Sequence, residues 1–174
     1  PFFSTTQENA TPIDPLSHEA MILPCPHKKN KMACLILAGG QGTRLGLSGP
    51  KGCVELQLKE RVSLFEYLLS KVKDKNLPVA LMTSPYNHDE TKSFLEKHRF
   101  FGLTHVDFFK QEVIPVCDDA GELIYDENGL EIASPDGNGK AFHYLVQSGL
   151  WGEWKKEGVE RIQVMLIDIP LATP

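Results

Sequence analysis

Met32-Ala-Cys-Leu-Ile-Leu-Ala38, with Gly39-Gly40 directly behind it, is the stretch that decides the fold class. A continuous apolar run that stops at turn residues is typical of a strand buried on both faces of a parallel sheet. Residues 79–82 and 162–167 have the same character, and residues 106–109 form a weaker run. The sequence therefore predicts four strands in a mostly parallel sheet.

Helix signals lie between these strands. Ser63-Leu-Phe-Glu66 is a capping box, in which the serine side chain accepts a hydrogen bond from the first helical turn. Asn87-His-Asp-Glu90 resembles one with asparagine as the cap, and apolar residues from Phe142 to Trp154 recur with the helical period. Strand and helix alternate along the chain, which predicts right-handed βαβ units and an α/β fold.

An acidic segment interrupts this alternation. No Lys or Arg occurs between Lys110 and Lys140. Within it, residues 121–133 surround Asn128-Gly129, a pair typical of a tight hairpin turn. The acidic residues lack the spacing of a calcium-binding loop. The segment is therefore interpreted as a small, solvated β-hairpin insertion.

Composition excludes several classes of protein. The 174 residues are 41% hydrophobic and 24% charged with a net charge of -5, as in one folded domain. The acidic balance argues against nucleic-acid binding, and no apolar run is long enough to cross a membrane. Four cysteines without metal-ligand spacing argue against a zinc site or a disulfide framework. With no signal peptide visible, we expect a cytoplasmic protein.

The first part of the chain differs in composition from the rest. Residues 1–31 are rich in Pro, Ser, Thr and Asn, which predicts an irregular lead-in. Residues 32–174 are expected to form the domain. Because the chain begins with Pro1 and ends on Pro174, we expect it to be a piece of a longer protein.

The candidate ligand loop is Leu37-Ala-Gly-Gly-Gln-Gly-Thr-Arg-Leu-Gly46. Its glycines let the backbone approach a ligand, and successive N–H groups can form an anion-binding nest. The loop leaves the carboxyl end of a strand, where open α/β sheets bind ligands. Arg44 and Lys51 add two cations that suit phosphate oxygens. The loop therefore predicts a polyphosphate site.

Spacing alone leaves other interpretations open. The loop could be an ordinary glycine-rich turn with a surface arginine. Its glycine spacing has one residue too many for the dinucleotide fingerprint, which disfavours a nicotinamide-dependent Rossmann domain. Gln111 could be a polar residue at a strand end, and Asp136-Gly-Asn-Gly139 is also a good turn sequence. Asp168 follows an apolar strand, a position at which carboxylates often serve ligands.

The glycine loop, followed closely by Pro50-Lys51-Gly52, resembles the signature of the UDP-sugar pyrophosphorylases. This family includes UDP-N-acetylglucosamine pyrophosphorylase and UTP–glucose-1-phosphate uridylyltransferase. Phe100-Phe-Gly-Leu103, Pro135-Asp-Gly-Asn-Gly139 and Asp168 are similar to later stretches of the family pattern. The resemblance covers roughly residues 32–168. It implies a Rossmann-like three-layer sandwich of the nucleotide-diphospho-sugar transferase type, present here as the N-terminal portion of the catalytic domain.

The resemblance also implies a reaction and its participants. A sugar 1-phosphate, of N-acetylglucosamine or glucose, would attack the α-phosphate of UTP with Mg²⁺ as cofactor. Arg44 and Lys51 would be catalytic, and Asp168 would lie near the metal and the ribose. The residues implied in nucleotide binding are Gly39, Gly40, Gly42, Thr43, Gln111, Gly137 and Asn138.

Two departures from the family pattern are visible, and the one at Pro170, together with the short chain, favours an alternative function. Ile169-Pro170 follows Asp168 where the family usually has Asn, and Lys140 stands where another Gly is typical. We expect Lys140 to begin an exposed helix rather than to meet a phosphate. The alternative is a binding module, or inactive homologue, that holds UTP or a UDP-sugar without turnover. The sequence leaves the identity of the sugar and the oligomeric state open.

Overall fold

The computed structural model describes residues 32–42, 46, 49–57 and 61–171. The elements in chain order are β1 (Met32–Leu37), β2 (Glu55–Gln57), β3 (Arg61–Ser63), α1 (Leu64–Lys75), β4 (Val79–Thr83), α2 (His88–Lys97), β5 (Asp107–Lys110), β6 (Val113–Pro115), β7 (Ala133–Pro135), α3 (Ala141–Gln147), α4 (Leu150–Lys156) and β8 (Arg161–Leu166). The predicted boundary at residue 31 stays a prediction, since residues 1–31 lie outside the described residues.

The central sheet has four parallel strands in the order β5-β4-β1-β8. The middle strand β1 pairs with β4 in the register Cys34↔Val79 and with β8 in the register Ala33↔Ile162. Residues 33–36 of β1 are completely buried, as predicted for a strand covered on both faces. The sequence prediction of the strands is confirmed within one residue at their boundaries.

Helices cover both faces of this sheet. Cys34 and Ile36 point to one face, where they pack against Phe65 and the rest of the apolar side of α1. Leu35 points to the other face and packs with Leu145 in the cluster formed by α3 and α4. Because side chains alternate along a strand, one apolar run supplies both cores. The fold is a three-layer α/β sandwich, and the predicted fold class is confirmed.

The two predicted caps behave differently. The Ser63 Oγ accepts a hydrogen bond from the Glu66 N–H at 3.0 Å, so the cap at the start of α1 is confirmed. Asn87 also stands directly before its helix, α2, but its side chain does not bond to the first turn. The predicted capping hydrogen bond is therefore wrong, because the Asn87 side-chain amide bonds to other groups instead.

The helix predicted from Phe142 to Trp154 is broken in two. Gly149 adopts a left-handed conformation with φ +86°, which ends α3 and starts α4. The apolar period also fails in part, because Phe142 is 54% exposed and Val146 is 59% exposed. A glycine can take this conformation without strain, so it permits a turn inside an otherwise helical pattern.

The predicted hairpin insertion is present and longer than expected. β6 pairs with β7 in antiparallel fashion, and isolated bridges join Cys117 to Leu123 and Tyr125 to Glu131. The Asp126 carboxylate accepts hydrogen bonds from backbone N–H groups of the turn, the one from Leu130 being the largest cause of its lowered pKa.

In the described part of the chain, no helix has the length and apolar character needed to cross a membrane.

Candidate nucleotide site

A cavity of about 420 Å³ lies where β1 and β8 end. This is the edge at which the sequence predicted a ligand, since parallel strands direct their carboxyl ends to one side. The glycine loop, the segment after it and the loop before α3 surround the cavity. The predicted site residues that line it are Gly40, Gly42, Lys51, Gln111, Gly137, Asn138 and Asp168. Thr43 and Arg44 lie outside the described residues.

Lys51 and Asp168 meet at the rim of the cavity. Lys51 belongs to a short 3-10 turn, Lys51–Cys53, and the preceding Pro50 pairs with Gln41 in an isolated bridge. Asp168 follows β8. The Lys51 Nζ lies 2.7 Å from the Asp168 Oδ1, and their side chains are 26% and 57% exposed. The fold thus brings two predicted site residues into contact in an accessible position.

Gln111 is buried and connects two of the loops. Its Oε1 accepts a hydrogen bond from the Gly137 N–H at 2.8 Å. A Cβ at position 39 would lie 1.9 Å from the Gln111 Nε2, so a larger residue there would force this amide to shift. Gly39 therefore lies beside Gln111 rather than on the cavity wall. The amide oxygen of Gln111 is engaged within the protein, so its NH₂ group is the part of the side chain that can donate a hydrogen bond to a ligand.

A cluster behind Gly137 and Asn138 fixes their loop. The Asp136 Oδ2 accepts from the Tyr144 hydroxyl and lies 3.0 Å from the Lys140 Nζ. The Tyr144 hydrogen bond is the largest cause that lowers the pKa of Asp136, followed by the one from Lys140. Lys140 directly precedes α3, as expected, and its charge is paired with Asp136. Sequence reasoning missed Asp136 and Tyr144, whose contact depends on how the loop folds.

Asn87 was also missed as a contributor to the site. Its amide donates to the backbone carbonyls of Ala38 and Gly40, at the start of the glycine loop. The sequence offered a polar residue at a helix start, and that signal favoured a local cap. Only the packing of β1 beside β4 brings this asparagine to the loop.

The chemistry of the site includes one carboxylate suited to a magnesium ion. Within residues 32–171, as far as they are described, no group of three or more metal-ligating side chains is present. Mg²⁺ is commonly held by one or two carboxylates together with substrate phosphates, which demands no such group. Asp168 fits that type of shared site.

The cysteines give no sign of site chemistry. Cys34, Cys53 and Cys117 are free thiols, and Cys25 lies outside the described residues. Burial raises the pKa of Cys34 to about 12, which makes its thiol unreactive.

This fold and site define an α/β protein with a candidate ligand cavity at the carboxyl ends of its parallel strands. The chain matches the model of the UTP–glucose-1-phosphate uridylyltransferase family over residues 5–173. It belongs to this family, and the resemblance found in its motifs is confirmed.

Individual relatives agree with this assignment. UDP-N-acetylglucosamine pyrophosphorylase of Saccharomyces cerevisiae is 32% identical over 152 residues, which are 80% of this chain and 32% of the yeast protein. The crystal structure of the uridine diphosphate N-acetylglucosamine pyrophosphorylase from Trypanosoma brucei in complex with an inhibitor is 33% identical with a TM-score of 0.74. The match covers 83% of this chain and 33% of that one. A UDP-glucose pyrophosphorylase mutant of Leishmania major, 24% identical with a TM-score of 0.65, has the same fold over 80% of this chain and 31% of its own. The chain thus spans about a third of the length of these relatives.

Proposed function

We propose that the protein transfers a uridylyl group from UTP to a sugar 1-phosphate and releases pyrophosphate. The sugar is N-acetylglucosamine or glucose, the two that appear in the names of the relatives. This chain would supply the part that binds UTP. The observation that carries the proposal is the cavity at the carboxyl ends of β1 and β8, with Lys51 and Asp168 in contact at its rim.

The reaction needs positioning and charge neutralisation rather than covalent help. A phosphate oxygen of the sugar 1-phosphate attacks the α-phosphorus of UTP, and the bond from that phosphorus to the bridging oxygen breaks. Pyrophosphate leaves with the electron pair of that bond. No general base is required, because a sugar phosphate is already ionised near neutral pH. Lys51 and Arg44 would offset the charge that builds up in the transition state.

The remaining predicted residues would hold the nucleotide. Gly42 and Thr43 would bind the phosphates, while Gly40 on the cavity wall would lie against the base and the ribose through its backbone, with Gly39 behind it beside Gln111. The NH₂ group of Gln111 would read an oxygen of uracil, since its Oε1 already accepts from Gly137. Gly137 and Asn138 would contact the base and the sugar. This arrangement favours UTP over other nucleotides.

Asp168 would hold Mg²⁺ jointly with the phosphates, and the bound ion would supply positive charge to the triphosphate. A carboxylate at a strand end beside Lys51 supports this role. We also propose a cytoplasmic location, an environment in which the thiols of Cys34, Cys53 and Cys117 stay reduced.

The test is exchange of labelled pyrophosphate into UTP by the intact protein in the presence of the UDP-sugar, UDP-N-acetylglucosamine or UDP-glucose, with and without Mg²⁺. The UDP-sugar is needed because the label enters UTP only when pyrophosphate displaces the sugar 1-phosphate from it. We expect exchange with Mg²⁺ and loss of it after chelation. Lys51→Ala and Arg44→Ala should each reduce the exchange rate by about a hundredfold or more, because a cation near the transferred phosphate is lost. Lys75→Ala is the control, since this exposed lysine lies in the last turn of α1. Full exchange in both site variants would contradict the assigned roles.

A binding module without chemistry is the second candidate. It is favoured by Ile169-Pro170 directly after Asp168, a segment that is held in place because the Lys71 Nζ donates to the Pro170 carbonyl at 2.6 Å. This candidate predicts that UTP or a UDP-sugar binds, as measured by calorimetry, while the intact protein shows no pyrophosphate exchange.

A further inference from the structure

Asn87 is a buried side chain whose hydrogen-bonding capacity is fully used. It is 2% exposed and stands between the end of β4 and the start of α2. Its Oδ1 accepts from the N–H of Ser84 at 2.9 Å and from the Ser84 Oγ at 3.1 Å. Its Nδ2 donates to the carbonyl of Ala38 at 2.8 Å and to that of Gly40 at 3.2 Å. One side chain therefore joins the glycine loop to the segment that follows β4.

These two donated bonds fix the orientation of two peptide groups in the loop. In a planar trans peptide the N–H points opposite to the C=O of the same group. The carbonyl of Ala38 shares its peptide with the N–H of Gly39, and that of Gly40 shares its peptide with the N–H of Gln41. By holding both carbonyls, Asn87 also sets the directions of both N–H groups.

The loop needs such an anchor because glycine constrains it so little. Gly40 has no side chain, and no atom lies within 4 Å of the place where a Cβ would stand, so no side-chain packing at this position fixes its backbone. A loop that samples many conformations must lose that freedom when it binds a ligand, and the affinity falls accordingly. The buried amide of Asn87, bonded to two carbonyls of the loop, restricts the loop before a ligand binds.

We propose that Asn87 is a positioning residue for UTP binding, which it supports by orienting the peptide groups that begin the glycine loop. This inference rests on the proposed function, in which the glycine loop that these peptides begin would hold the nucleotide. Asn87 itself does not line the cavity. Asn87 acts through the backbone of the glycine loop. The role requires the hydrogen-bonding amide group of its side chain, not the size of that side chain.

The decisive variant is Asn87→Asp, which keeps an oxygen for both Ser84 donors but cannot donate to the two carbonyls while ionised. Asn87→Ala is the second variant and adds no charge. Thr91→Val is the matched control, because Thr91 lies on the same helix, is completely buried and has a hydroxyl without a partner. Valine replaces its side chain at nearly equal volume without removing a hydrogen bond.

Calorimetric titration with UTP and Mg²⁺, on intact protein below its melting temperature, separates positioning from folding. Irreversibly unfolded molecules lower the stoichiometry, and reversible unfolding is excluded by titrating each variant at a temperature on the folded baseline of its own unfolding curve. A variant that loosens the loop raises the dissociation constant at unchanged stoichiometry. We expect a rise of about tenfold in both Asn87 variants, as for two lost hydrogen bonds, and less than about twofold in Thr91→Val.

Hydrogen exchange provides an independent measurement on the free protein. The amides of residues 39–42 should exchange faster in the Asn87 variants than in wild type, while those of α4 should not change. An unchanged dissociation constant in folded Asn87→Asp and Asn87→Ala would overturn the proposal, as would a loss of stoichiometry alone. Failure of the wild-type protein to bind UTP would instead overturn the proposed function.

Discussion

Gly52 lies directly against the aromatic ring of Phe65. A Cβ at position 52 would stand 2.2 Å from the Phe65 Cε2, far closer than two carbon atoms can approach. Phe65 belongs to α1 and is completely buried in the core. The glycine beside Lys51 is therefore required for packing, and it holds the lysine's turn against a rigid part of the fold.

Gly52→Ala should destabilise the protein by about 1–3 kcal/mol, the usual cost of forcing extra volume into a packed core. Urea unfolding followed by circular dichroism measures the free energy of unfolding. Gly152→Ala is the control, because Gly152 lies in α4 with open space at its Cβ position. Alanine should stabilise that helix by about 0.5–1 kcal/mol. Equal stability of Gly52→Ala and wild type would contradict this packing role.

The strands and the first helix could be predicted because their signals are local. An apolar run such as residues 32–38 is buried in any parallel sheet, and the Ser63 cap involves residues three positions apart. The break at Gly149 could not be predicted in the same way. A glycine inside a helical period is tolerated in many helices, so its presence does not show whether the chain turns there.

The position of the candidate site could be predicted from the sequence, but only some of the residues that form it could. The glycine loop, Lys51 and Asp168 each follow a strand or a turn signal, and the topology brings such ends together. Asn87 and Tyr144 act through partners distant in sequence, and nothing in their own neighbourhood indicates those partners. The functional roles of the site residues stay predictions until ligands are measured.

Tyr144→Phe should raise the pKa of Asp136 toward its ordinary value, because the strongest hydrogen bond that stabilises the carboxylate is removed. Lys140 would keep part of the depression. Carbon-detected NMR titration of the Asp136 carboxyl group measures the change. Tyr67→Phe is the control, since Tyr67 lies on α1 and contacts Lys71 instead. Equal pKa values in Tyr144→Phe and wild type would contradict the contact.

The same variant has a defined pH dependence of stability. The folded pKa of Asp136 is lowered, so its contribution is present above the unfolded value of about 3.8 and is lost as the pH falls through the folded pKa. The pKa of Tyr144 is raised by the same hydrogen bond, so that contribution is lost only at strongly alkaline pH. Wild type should therefore exceed Tyr144→Phe in stability near pH 7, and the difference should shrink below about pH 3.8. If the difference in stability between wild type and Tyr144→Phe grew as the pH falls, the lowered pKa of Asp136 would be contradicted.

Asp168→Asn should separate activity from stability. The pair that Asp168 forms with Lys51 is accessible to solvent, and exposed ion pairs contribute about 0–1 kcal/mol to folding. The free energy of unfolding should therefore change little. Pyrophosphate exchange should fall about tenfold or more and require a higher Mg²⁺ concentration, because an uncharged amide is a weaker magnesium ligand than a carboxylate. Asp74→Asn, near the end of α1, is the control for removal of a negative charge elsewhere. An unchanged magnesium dependence in Asp168→Asn would remove this carboxylate from the proposed metal site.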